Sequence, residues 1–364
     1  MAPRPPEQTA RAQGAPVRAP GASGTTVPGT TGPGAAAPGA TAPRSPGDPV
    51  TAYLQEQAGA FLRALRARRE SGTSAPETEA AVHALRGAAQ RVEATLHTFR
   101  PLLEAEWAER LHGELGWLSA VLGSEYACAH RLGRLLGALR RLRDEEGARS
   151  AAVPAQGPPE GPLPMGAARA GALLDRQLTL ARNRAHSAAL DALGSARFHA
   201  VADAVALLAS EVPYRRGASP RDPEVVGALA SLTSHRLADA IAALPLDRAG
   251  APYNAEAAAL GSAAPGGEPQ DAPWHRVRSL LRLRVYAAEA LGAAPEARTA
   301  PGARALDRHR EAADAATAAA AAARTPRIAP PTAYALGVLH AVQRQEVEAA
   351  RHTFQRVWRE AVRV

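Results

Sequence analysis

The sequence predicts an all-α protein, and three observations lead there. Apolar residues recur at intervals of three and four through most of the chain after Val50. Valines are scattered and never alternate with polar residues as a half-buried strand requires. The chain is 46% hydrophobic but only 4% aromatic, so its core rests on Leu, Ala and Val, which suit packed helices.

The elements follow in order. Residues 1–48 are rich in Pro, Gly, Ala and Thr, with too few large apolar groups to offset chain entropy, and are predicted to be a disordered tether. VTAYLQEQAGAFLRALRARR opens the ordered part as a first helix. PETEAAVHALRGAAQRVEATLHTFRPLL reads as a second, with acidic residues near its start and Pro101 near its end. WAERLHGELGWLSAVLGSEYACAHRLGRLLGALRRLRDEE is expected to supply two helical units, broken or bent around Gly123. A Pro/Gly-rich loop is expected from 147 to 166, then helices over 167–191 and 195–212 joined at a short Gly194 turn. PYRRGASPRDPE reads as a linker, 224–243 as a helix and 245–272 as a second loop. WHRVRSLLRLRVYAAE lies in the next helix, which breaks near Pro295, and helices over 302–324 and 332–362 complete the chain.

All 43 basic residues are arginine, and the formal charge is +8. Guanidinium stays charged and holds phosphate or carboxylate oxygens in pairs, so the excess favours an anionic partner. The single cysteine, Cys128, excludes an internal disulfide framework and a cysteine-based zinc site. No apolar run reads as a signal peptide or membrane span, so a soluble cytoplasmic protein is expected, with no membrane partner.

A weak internal echo carries the functional signal. His83, Arg86 and Gln90 recur as His275, Arg278 and Arg282, each a histidine, an arginine three residues on and a polar residue four further. At about 100° per residue these offsets fall within an arc of about 60° on a helix. Glu93 and His97 extend the first strip, with Leu85, Val92, Leu96 and Phe99 opposite. Tyr286 and Glu289 extend the second, while Arg284 projects towards the apolar side. One such strip is ordinarily a solvated helix face. Two in comparable helices of the two halves are suited to line a groove for a dense polyanion.

On these residues the chain resembles the CHAD family, the conserved histidine α-helical domains. Val82–Arg86, the HTFRPLL run at 97–103, Trp117-Leu118 and Leu122-Gly123 fit its first half; His275, Arg278, Arg282, Tyr286 and Glu289 fit its second histidine helix. The chain departs from the family pattern at Gln90-Arg91, where arginines are often paired, and at Tyr126-Ala127, where the pattern has arginine and aspartate. It departs again at Leu283 and Val285, commonly basic, and at His340 and Arg344, which replace glycine and aspartate.

The resemblance implies one CHAD-like unit over 49–362, made of two pseudo-symmetric four-helix bundles, with halves at about 49–215 and 222–362. It implies non-catalytic binding of inorganic polyphosphate, in the cytoplasm and in association with polyphosphate granules and their proteins. His83, Arg86, Arg278 and Arg282 lead the candidate contacts, followed by Arg91, His275 and Arg284. Arg182, Arg184 and Arg197 lie in basic helices between the signatures, and Gln90, Tyr286 and Glu289 support them. No catalytic residue, metal or cofactor is assigned, because the acids are dispersed and His309, His340 and His352 lack short metal-ligand spacing. A helical scaffold or protein-binding module is the alternative. Nucleic-acid binding ranks lower, for want of a recognition motif or a stacking pattern.

Overall fold

The computed structural model describes residues 48–72, 74–152, 162–250 and 268–360. The tether expected over 1–48 therefore lies outside the described residues, Asp48 excepted. Helix α1 (Pro49–Glu70) starts where Asp48 accepts hydrogen bonds from the Val50 and Thr51 amides at 3.1 and 3.0 Å, with Pro49 at its first position. Helix α2 (Ala75–Thr98) follows, and a 3-10 turn over Arg100–Leu102 absorbs Pro101.

Of the break or bend expected around Gly123, the break does not occur. Helix α3 (Ala105–Ala152) runs unbroken for 48 residues. Gly123 is a packing device instead: a Cβ there would stand 2.9 Å from Cζ, Nε and Nη2 of Arg86. The loop expected over 147–166 also shrinks, since α3 reaches Ala152 and α4 (Pro162–Gly194) begins before it ends. Helix α5 (Ala196–Leu208) is capped by Ser195, whose Oγ accepts from the Phe198 amide at 3.1 Å. The linker expected at 213–224 is pinned: the Arg215 amide donates to the Leu102 carbonyl, and the Tyr214 hydroxyl lies 2.8 Å from Thr51 Oγ1.

Helix α6 (Pro223–Ala242) starts at an Asp222 cap, and a short α7 (Leu246–Ala249) lies inside the second expected loop. Residues 251–267 of that loop are outside the described ones. Helices α8 (Glu268–Ala290), α9 (Thr299–Ala323) and α10 (Pro330–Glu360) complete the order.

The buried apolar residues form three main clusters rather than two. One joins α1, α2, the first half of α3, the end of α4 and α5, around Tyr53, Phe61, Leu96, Phe99 and Phe198. Another joins α6, α7, α8, the start of α9 and the end of α10, around Trp274, Leu281 and Phe354. Between them the far ends of the α3–α4 and α9–α10 hairpins share a core of Leu135, Leu139, Leu174, Ala315, Ala319 and Leu336. The alanines of α9 let α10 approach closely, and Gly166 of α4 touches the α10 backbone: a Cβ there would stand 2.0 Å from the Pro331 carbonyl oxygen. This frame sets α2 directly against α8.

Candidate functional site

The α2–α8 contact brings together part of what the sequence singled out. Arg86, half-buried, donates from Nε to the Ser119 carbonyl at 3.1 Å and lays its guanidinium on the bare backbone of Gly123. Burial lowers its pKa, and the charges of Arg278 and Arg310 lower it further. Arg278 is also lowered by burial, then by Arg282, while its Nε donates to Asp307 Oδ1 at 2.5 Å. Arg310 of α9 leans on Asp314 at 3.6 Å. Arg282 makes no hydrogen bond or ion pair among the described residues; Glu93 lies within electrostatic reach of it and is itself raised by burial. Four guanidinium groups from three helices thus share one region, and among the described residues Arg86 and Arg282 have no carboxylate in contact.

The two histidines differ. His83 is exposed and without a polar partner among the described residues. His275 is partly buried, its Nε2 has no hydrogen-bond partner among the described residues, and its ring meets that of His309 edge-on at 5.4 Å. Burial lowers its pKa; Asp271 and Asp314 oppose that, while Arg310 and Arg278 reinforce it. Gln90 lies half-buried on α2 beside these groups in sequence.

One turn further on, charges are matched. Arg91 donates to Glu289 at 3.2 Å and lies over the Tyr286 ring at 5.3 Å, and the Tyr53 hydroxyl donates to Glu289 at 2.8 Å. Burial works against the Arg91 charge, but Glu289 and the two tyrosines outweigh it and raise its pKa. Burial and Glu289 raise the Tyr53 pKa. This end of the strip ties α1, α2 and α8 together.

At the opposite end a buried acid anchors α8. Asp271 accepts from Arg344 at 2.7 and 3.3 Å and from Arg351 at 2.6 Å, with His309 Nε2 at 3.4 Å. Burial opposes its charge, yet these partners hold its pKa down at about 2. Arg344, a departure from the family pattern, is therefore a structural ion-pair partner.

The remaining candidates stand elsewhere. Arg182 pairs with Glu125 at 3.5 Å, and Arg197 pairs with Glu114 at 2.6 Å while covering Trp117. Arg184 is exposed on α4. Arg284 turns away from the strip to Glu296 and Thr299. It borders a cavity of about 640 Å³ with an apolar floor including Leu237, Ile241 and Leu244. Sequence reasoning missed Arg310. Its signal was available, since Asp307, Arg310 and Asp314 repeat the offsets of three and four along α9.

Residues 56–325 match the CHAD domain. The chain belongs to the CHAD domain family. A solved structure, PptA from Streptomyces chartreusis, shares 50% identity over 86% of this chain and 98% of its own, with a TM-score of 0.70. No curated protein matches the chain significantly in sequence. CHAD domains are typically non-catalytic partners, and membership associates the chain with polyphosphate in general terms. Among the described residues no group of three or more His, Cys, Asp or Glu is placed to hold a metal, and no helix is long and apolar enough to cross a membrane.

Proposed function

We propose that this CHAD domain binds inorganic polyphosphate without catalysis, along the groove where α2 and α8 meet. The observation that carries the reading is the confluence of Arg86, Arg278, Arg282 and Arg310, in which Arg86 and Arg282 lack a carboxylate in contact among the described residues. Like charges held together under partial burial repel, and an anionic ligand relieves that repulsion. A phosphate chain suits them, because each unit offers oxygens for a guanidinium fork. His83 and His275 flank the cluster as added donors. The exposed Arg182, Arg184 and Arg197 extend it only for a long chain. In this reading the binding unit spans 49–362, in halves of about 49–215 and 222–362, with the α1–α5 and α6–α10 runs as the two pseudo-symmetric bundles. Granule association follows from the ligand.

The test is calorimetric titration with short and long polyphosphate and with duplex DNA, on wild type, Arg282→Gln and Arg86→Gln. Long chains should bind more tightly than short ones, and each substitution should weaken binding about tenfold. Unchanged affinity in a folded Arg86→Gln/Arg282→Gln variant refutes the site and favours a scaffold. Saturable DNA binding without a polyphosphate response refutes the ligand.

A further inference from the structure

Helix α3 turns a second kind of group towards the basic cluster. Gly123, Tyr126 and His130 follow one another at spacings of three and four residues and so share one helix face. Gly123 is where the Arg86 guanidinium rests, which makes this the face that meets the arginines. Tyr126 is 55% exposed, and its side chain lies within electrostatic range of Arg86. Its ring lies nearly parallel to that of His130, with centroids 6.0 Å apart and an angle of 22° between planes. His130 is itself held 3.8 Å from Glu311 of α9, which steadies the pair. Tyr126 makes no hydrogen bond among the described residues. A solvent-facing ring beside clustered guanidinium groups is the combination that receives a flat, neutral heterocycle joined to a phosphate chain.

We propose that the groove also takes nucleoside polyphosphates, with the phosphates among Arg86, Arg278 and Arg310 and the base stacked on Tyr126. The inference rests on the anion groove proposed above and adds a second recognition element to it. Recognition is tolerant of base identity, because every base has a π-face to stack. A single nucleotide fits better than a nucleic-acid strand. Strand binders present successive aromatic platforms along a basic track. Here Tyr126 and Tyr334 are the exposed large aromatics among the described residues, and Tyr334 lies on α10, in the first turns of a helix outside the cluster.

The comparison that isolates the base is tripolyphosphate against ATP and GTP, titrated calorimetrically at fixed ionic strength with divalent cations chelated. A nucleoside triphosphate has one fewer ionisable oxygen than tripolyphosphate, so charge alone ranks tripolyphosphate first. Stacking should reverse that order, with ATP and GTP binding about tenfold more tightly. Tyr126→Ala should abolish the difference and leave tripolyphosphate affinity unchanged, and Tyr126→Phe should retain it. Nucleotides that bind no better than tripolyphosphate overturn the base platform while leaving the groove standing. A Tyr126→Ala loss shared equally by both ligands also overturns it. Failure of tripolyphosphate and long polyphosphate alike removes the groove, and the nucleotide site with it. A single-stranded oligonucleotide that outcompetes ATP at equal phosphate concentration refutes the mononucleotide assignment.

Discussion

Gly123→Ala separates the groove from the fold more cleanly than any substitution of an arginine. The added methyl would stand 2.9 Å from three atoms of the Arg86 guanidinium. Favourable contact begins at about 3.5 Å, so one of the two must move. Arg86 moves, because its guanidinium is the free end of a flexible side chain and α3 is fixed by its core. Stability changes little. Alanine gains about 1 kcal/mol over glycine inside a helix. Losing the Arg86 bond to the Ser119 carbonyl costs about 1 kcal/mol. The melting temperature should therefore stay within about 3 °C of wild type. Affinity does not share this cancellation. Withdrawing one charge-assisted phosphate contact costs about 1.5 kcal/mol at the lower end of the range, or about tenfold in dissociation constant. The slope of log affinity against log salt should also become shallower by about 0.7, one phosphate contact fewer. Thermal melting and titration of long polyphosphate at several salt concentrations read both effects. Binding within twofold of wild type in a variant that melts normally would refute the placement of Arg86 in the site.

Three further outcomes follow from the frame. Asp271→Asn leaves Arg344 and Arg351 facing a neutral group and should destabilise the fold by about 3 kcal/mol, measured by urea unfolding; a loss under 1 kcal/mol contradicts the anchoring role. Gly166→Ala drives a Cβ into the Pro331 carbonyl, a backbone that cannot step aside, and should cost about 3 kcal/mol; a variant as stable as wild type would mean α4 and α10 do not pack this closely. Burial holds His275 and His309 below the ordinary imidazole pKa, so the unfolded chain takes up protons first on acidification. Stability present above about pH 6.5 should then fall as pH drops below it, and equal urea midpoints at pH 7.5 and 5.5 would show that these rings are not buried neutral.

The order of helices was legible because burial imposes a period, and periods survive in a bare sequence. Gly123 shows where this fails. A glycine inside a helical pattern reads equally as a break or as room for a neighbour, and the neighbour is Arg86, 37 positions earlier in sequence. The middle core was hidden for a related reason. The α3–α4 and α9–α10 hairpins each look complete locally, and nothing in either says that their tips meet.

Charge follows the same logic and decides what the site is. Sequence spacing shows which arginines share a helix strip, but not which have an acid opposite. Arg91, Arg278, Arg284 and Arg344 all lie in or beside the motifs, and each meets a carboxylate from another segment or a distant turn: Glu289, Asp307, Glu296 and Asp271. A guanidinium already paired contributes less to a new anion, because the ligand must compete with the resident carboxylate. Arg282 has no hydrogen-bond or ion-pair partner among the described residues, with Glu93 only within electrostatic reach, and Arg86 bonds there only to a backbone carbonyl, so in the proposed site an incoming anion would gain most from these two. In a chain whose 43 basic residues are all arginine, composition cannot single out a binding site. The proposed site rests instead on the lack, among the described residues, of a carboxylate touching Arg86 or Arg282.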